Sequence, residues 1–209
     1  MKLSDFVIKK LADNDVKHVF MLPGGGAMHL NDSLGQNEDI QYVCNLHEQA
    51  CAIAAEAYSQ YTNHLGVCMV TTGPGSTNTL TGVVSAWLDS IPLLILSGQV
   101  KRSDRVGDQG VRQIGFQEVE IEKLVKPITK YVKTVDDPLE IEFHLDKAIW
   151  LARNGRPGPC WIDIPLDVQA AEIDASRLVS FNSRDEHHDY EPLKSKVSLL
   201  IAELKISAK

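Results

Sequence analysis

The sequence predicts an α/β fold: a doubly wound, mostly parallel six-stranded sheet with helices on both faces. Three observations lead there. Strand-like and helix-like patterns alternate from the first residues, as βαβ units do. Two strand candidates, Gly66–Thr71 and Leu93–Leu96, are almost wholly apolar, as expected when both faces of a sheet are covered. Glycine- and proline-rich loops follow the strands on the edge where such sheets bind ligands.

The elements follow in order. Leu3, Phe6, Val7, Lys10 and Leu11 recur at helical spacing, with Ser4 or Asp5 as a cap. His18–Met21 is a short strand stopped by Pro23-Gly24-Gly25-Gly26. A helix near Met28–Leu34 leads to the strand Ile40–Cys44, and His47–Tyr61 is an alanine-rich helix. The apolar strand at 66–71 runs into Gly73-Pro74-Gly75, which opens a helix at about Thr77–Leu88. After the strand at 93–96, residues Gly98–Gly115 form a loop with four glycines. A loop that long inside a compact domain usually has a function. Helices near Gln117–Leu124 and Pro138–Arg153 flank a strand around Lys130–Val132, and Cys160–Ile164 closes the series.

Residues 171–191 read as a linker, most polar from Phe181 to Glu191 and carrying a solvated His187-His188 pair. Leu193, Val197, Leu200, Ile201 and Leu204 then make an apolar helical stripe over 192–209, expected to be the first helix of a further, truncated domain.

Composition narrows the function. A net charge of −7 over 209 residues leaves no basic footprint for nucleic acid. No apolar run approaches the roughly 20 residues that span a bilayer. Met1–Asp5 lacks a secretory apolar core, so a cytoplasmic, reducing setting is expected, with Cys44, Cys51, Cys68 and Cys160 as buried free thiols.

Three motifs carry candidate chemistry. Gly73-Pro74-Gly75-Ser76-Thr77-Asn78 follows a strand and opens a helix, where backbone N–H groups could meet an anion. It lacks the third glycine of a dinucleotide fingerprint, and plain turn-making accounts for its glycines equally. Glu48 starts the alanine-rich helix at a strand's carboxyl end. A helical wheel puts it at the edge of a polar arc with Gln49, Glu56, Ser59 and Gln60, so spacing leaves open whether it complements the helix dipole or does chemistry. Asp89 before Ser90-Ile91-Pro92 reads as a turn residue.

Taken in register across residues 1–170, these segments resemble the pyrimidine-binding (PYR) domain of thiamine-diphosphate enzymes of the acetolactate synthase type. The resemblance is carried by Pro23–Met28, His47-Glu48-Gln49, Ala54–Tyr58, Thr72–Asn78, Asp89–Pro92, Ser97-Gly98-Gln99 and Phe116-Gln117-Glu118. Ile128-Thr129-Lys130, Gly155–Pro159 and Asp163-Ile164-Pro165 extend it. It implies that Glu48 hydrogen-bonds N1′ of the cofactor's aminopyrimidine and so promotes loss of the thiazolium C2 proton. Gly24, Gly25, Pro74, Gly75 and Asn78 would line the pyrimidine end, Phe116 would approach the substrate, and Gln117 the activated cofactor. The implied activity is carboligation or decarboxylation of 2-oxo acids, chiefly two pyruvates to 2-acetolactate and CO2, in a homodimer or homotetramer. The Gly-Asp-Gly…Asn motif that holds Mg2+ and the diphosphate occurs nowhere here, so these 209 residues are expected to be inactive alone. FAD is possible in the full-length protein, on another domain. Leu46, where synthases commonly carry arginine, and Arg112-Gln113-Ile114-Gly115 depart from the family pattern. Two other readings are a natural PYR subunit of a split 2-oxo-acid decarboxylase and a non-enzymatic nucleotide-binding module.

Overall fold

The computed structural model describes residues 1–185 and 191–207; the His187-His188 pair lies outside them. The chain alternates α1 (Leu3–Asp13), β1 (His18–Met21), α2 (Met28–Gly35), β2 (Gln41–Cys44), α3 (Glu48–Thr62) and β3 (Gly66–Val70). It continues with α4 (Pro74–Thr77), α5 (Leu80–Asp89), β4 (Leu93–Gln99), α6 (Ile121–Val125), β5 (Tyr131–Thr134) and α7 (Ile141–Arg153). The last elements are β6 (Pro159–Pro165), α8 (Leu166–Gln169) and α9 (Glu191–Ser207). The strands form one six-stranded sheet in the order β2-β1-β3-β4-β6-β5, and every pairing is parallel.

Alternation along the strands sends side chains to two cores. Val67, Met69, Leu94, Leu96, Cys160 and Ile162 face the layer of α1, α2, α7 and α8. Cys68, Val70, Leu93, Ile95 and Trp161 face α3, α5 and α6. Both faces of β3, β4 and β6 are therefore covered, which is why these strands read as apolar runs.

Several local expectations differ from the structure. Neither Ser4 nor Asp5 caps α1, which starts one residue after Lys2; Asp5 instead accepts from the Ser33 hydroxyl on α2, to which the Ser4 hydroxyl is also hydrogen-bonded. The helix expected at 77–88 begins only at Leu80, as α5, because a separate short helix, α4, and a turn at Asn78–Thr79 precede it. The helix expected from Gln117 begins only at Ile121, since Gln117 holds a left-handed φ of 59°. The polar arc on α3 divides: Glu56 and Ser59 are buried, and the Ser59 hydroxyl bonds the carbonyls of His64 and Pro92. Three cysteines are buried free thiols, but Cys44, on the edge strand β2, is exposed. Burial pushes the Cys51 thiol up to about 11 and that of Cys160 up to about 12.

Helix ends are closed by long side chains. Lys130 reaches the carbonyls of Leu151 and Asn154 at the end of α7. Arg156 does the same for Leu88 on α5 and also bonds Ser90, whose φ of 60° ends that helix. Beyond α8 the chain packs back on the domain: Ala171 and Glu172 pair with the first residues, and Ile173 is buried. Phe181 stacks edge-on against Phe143. The apolar side chains of α9, Leu193 to Leu204, are exposed.

Candidate active site

The chain leaves β1 toward one edge of the sheet and β3 toward the other. The crevice between their carboxyl ends is thus a topological switch point, where open α/β sheets bind ligands. The loop after β1 brings Gly24–Gly26 there, and the loop after β3 brings Thr71–Gly75. The two are tied together, since the Gly26 N–H donates to Thr71 Oγ1 at 2.9 Å. A Cβ on Gly24 would stand 2.5 Å from that of Thr71, so only glycine allows this approach.

Glu48 is the first helical residue of α3. His47 caps the helix with Nδ1 accepting from the Gln49 N–H at 3.1 Å, which fixes the Glu48 backbone. The carboxylate is half-buried, and its Oε2 accepts from Asn78 Nδ2 at 2.9 Å. Gly75 borders it, for a Cβ there would lie 3.4 Å from Glu48 Oε1. Pro74 occupies the first turn of α4 and sets that approach. The N–H groups of Gly75 and Thr77 are spent on the carbonyls of Thr72 and Gly73, inside the turn. Asn45 Oδ1, just before α3, is buried with no partner among the described residues.

Gly24, Gly25, Phe116 and Gln117 meet in a different place, a cavity of about 410 Å3 that also touches Thr71, Thr72 and Gln99. The candidate residues therefore form two groups. Glu48, Gly75 and Asn78 make one; Gly24, Gly25, Phe116 and Gln117 make the other. Thr71 and Gly73 join them. A Cβ on Gly75 would stand 2.6 Å from Thr71 Cγ2, while one on Gly73, at φ 59°, would stand 2.0 Å from the Gln117 carbonyl oxygen. The strained Gln117 backbone is seated on a glycine that no other residue can replace.

Beneath the cavity lies a layer that no sequence motif singled out as functional. Gln99 accepts from Thr72 Oγ1 and donates to the Val119 carbonyl and to Asp163 Oδ2. Asp163 is fully buried and also receives the hydroxyls of Ser97, at 2.5 Å, and Thr134. Burial pushes its carboxyl up to about 7, against the pull of these donors and the Arg105 charge. Glu118 organises the long loop by accepting from the backbone N–H groups of Val106, Ile114 and Gly115. Gln99, Glu118 and Asp163 sit inside segments that carried the family resemblance; polarity at the end of an apolar strand was the only local signal for Gln99 and Asp163.

The family profile described as "Thiamine pyrophosphate enzyme, N-terminal TPP binding domain" matches residues 1–124. The chain belongs to the thiamine pyrophosphate enzyme family. This thiamine pyrophosphate enzyme domain is 35% identical over 206 residues to the acetolactate synthase large subunit of Lactococcus lactis, covering 99% of this chain and 35% of the relative. It is 39% identical over 165 residues to the isozyme 3 large subunit of Escherichia coli, covering 79% and 28%. Against the chloroplastic acetolactate synthase 2 of Nicotiana tabacum, identity is 37% over 212 residues, covering 98% and 31%. The domain spans about a third of the length of the curated relatives it matches. Its departures are visible in the structure: Leu46 is 100% exposed beside Glu48, and Arg112–Ile114 are exposed on the long loop.

Proposed function

We propose that this chain is the pyrimidine-binding part of a thiamine-diphosphate carboligase or decarboxylase acting on 2-oxo acids, with formation of 2-acetolactate from two pyruvates as the leading reaction. The observation that carries the reading is Glu48: a half-buried carboxylate at a helix start, held by Asn78 above Gly75, at the switch point. The site suits an aminopyrimidine. A flat ring needs backbone clearance beside the carboxylate, and Gly75 leaves it: a Cβ there would lie 3.4 Å from Glu48 Oε1. Asn45 Oδ1 is a spare buried acceptor near the Glu48 helix.

Bound thiamine diphosphate supplies a nucleophilic carbon and an electron sink for decarboxylation. Glu48 holds or releases a proton at the ring nitrogen facing it, and Asn78 fixes the carboxylate so that one oxygen points inward. Gly24, Gly25, Pro74 and Gly75 bring backbone close to the ring. Phe116 meets the substrate and Gln117 the activated cofactor, both at the mouth of the same cavity. Mg2+ and the diphosphate are assigned to a part of the enzyme outside these residues, as is FAD where it is used. This chain alone holds half a site and turns over no substrate.

A homodimer or homotetramer is the proposed assembly. Ile53 and Tyr61 on α3 and Val84, Trp87 and Leu88 on α5 are exposed, and Tyr61 is 90% exposed, an apolar patch of the kind that partners cover. Among the described residues no helix is long and apolar enough to cross a membrane. Three buried, protonated thiols suit a reducing compartment, the cytoplasm being the proposed one. The test is Glu48→Gln in the polypeptide that carries this chain, followed by hydrogen–deuterium exchange at C2 of bound thiamine diphosphate. Exchange is expected to slow by at least about 100-fold, the scale of a lost acid–base group. An unchanged rate rejects the role of Glu48.

A further inference from the structure

The 410 Å3 cavity has an uneven chemical lining. Val100, Leu166 and Met28 give it apolar walls, and Thr71, Thr72 and Gln99 a neutral polar floor. Among the described residues that line it, Lys101 is the only cation. The neighbouring arginines are already committed. Arg102 bonds Asp167 through its Nε at 2.7 Å and its backbone N–H at 3.0 Å, and Arg105 bonds Asp136 at 2.6 Å. The ammonium of Lys101 has no partner among the described residues. Its backbone is nevertheless fixed, by the Arg102 clamp on one side and by the Asp104 N–H donating to its carbonyl at 2.9 Å. Asp104 also lines the cavity, with Oδ1 turned to the Ser103 hydroxyl at 2.8 Å.

We propose that Lys101 is the receptor for the carboxylate of the 2-oxo acid, so that it selects acidic substrates over neutral carbonyl compounds at this cavity. The inference rests on the functional reading above. An ammonium at the rim of an apolar pocket costs little desolvation when empty. It gains a charge-assisted hydrogen bond once a carboxylate enters and water leaves. The apolar walls suit the short alkyl end of the same molecule, so charge and shape together orient the carbonyl between Phe116 and the floor. Asp104 opposes this attraction and moderates it.

The experiment uses the polypeptide that carries this chain, with Lys101→Gln, Lys101→Arg and Asp104→Asn. Three readouts are needed: kcat and KM for pyruvate, the activation constant for thiamine diphosphate, and C2 exchange of bound cofactor without substrate. Lys101→Gln is expected to raise KM for pyruvate roughly 10- to 100-fold, the scale of a lost charged hydrogen bond. The cofactor constant and C2 exchange should move less than about twofold, because Lys101 is assigned to the substrate alone. Lys101→Arg should recover most of the loss, and Asp104→Asn should lower KM. Lys101→Gln should also erase the preference for pyruvate over its uncharged amide. An unchanged KM overturns the proposal. So does a shift confined to the cofactor constant, which would place Lys101 on the diphosphate, or a parallel fall in C2 exchange, which would make its role structural. Absence of C2 exchange in the unaltered protein would instead reject the functional reading itself.

Discussion

Two carboxylates at the strand ends of this sheet have opposite fates. Glu48 is half-buried and, among the described residues, has a single side-chain partner, Asn78. Asp163 is fully buried and takes hydrogen bonds from Ser97, Gln99 and Thr134, while Trp161 Nε1 braces the Ser97 hydroxyl from behind. A carboxylate with lone pairs to spare at an open crevice is available to a ligand. One whose oxygens are all engaged is committed to the fold. The difference separates an acid open to a ligand from one built into the scaffold more sharply than charge or position in the sequence does, because both acids lie in segments that mark the family.

The comparison can be broken in four ways. Glu48→Gln should have the largest effect, on C2 exchange and with no matching loss of stability. An equal loss of stability would put Glu48 with Asp163 as a scaffold group. Asp163 should govern stability against pH. Its folded pKa of about 7 stands above the ordinary value of 3.8, so the folded protein binds more protons than the unfolded one between these limits. Its contribution is full below about pH 4 and lost as pH rises through about 7, on the order of 4 kcal/mol in all. Urea unfolding at stepped pH should show that decline, and Asp163→Asn should flatten it. A decline that persists in Asp163→Asn would assign the effect elsewhere.

Gly73→Ala should come third, costing about 2–3 kcal/mol of stability through its positive φ and the Gln117 carbonyl in its way. Thermal unfolding that shifts by only a degree or two would mean that the Gln117 turn yields easily. Asn78→Ala should be smallest. It removes one hydrogen bond to a half-open carboxylate, slowing C2 exchange by about 10-fold while stability changes by less than about 0.5 kcal/mol.

The sheet was legible because β3, β4 and β6 are buried on both faces, so their apolar runs stand out without knowledge of the fold. What stayed hidden was set by contacts across the chain. The break between α4 and α5 places Asn78 against Glu48, 30 residues away, and no local propensity encodes that. Ser59 and Glu56 look solvent-facing on a helical wheel, yet Ser59 is drawn inside by the carbonyls of His64, five residues on, and of the distant Pro92. Gln117 leaves the expected helix for a left-handed turn that packs on Gly73, 44 residues earlier, a contact no helical pattern reveals. Lys101 carries no motif at all; that its ammonium, the one cation lining the cavity, has no hydrogen bond or ion pair among the described residues becomes visible only when Arg102 and Arg105 are seen to be paired.

The way Glu118 holds the long loop decides how this domain can change. Its carboxylate grips main-chain N–H groups at Val106, Ile114 and Gly115, and those donors are present whatever side chains the loop bears. Apart from Gly107 and Gly110, whose φ of 48° and 72° favours glycine, residues 107–113 can therefore vary while the frame of the loop is inherited unchanged. One acid in a fixed place makes the neighbouring stretch evolvable.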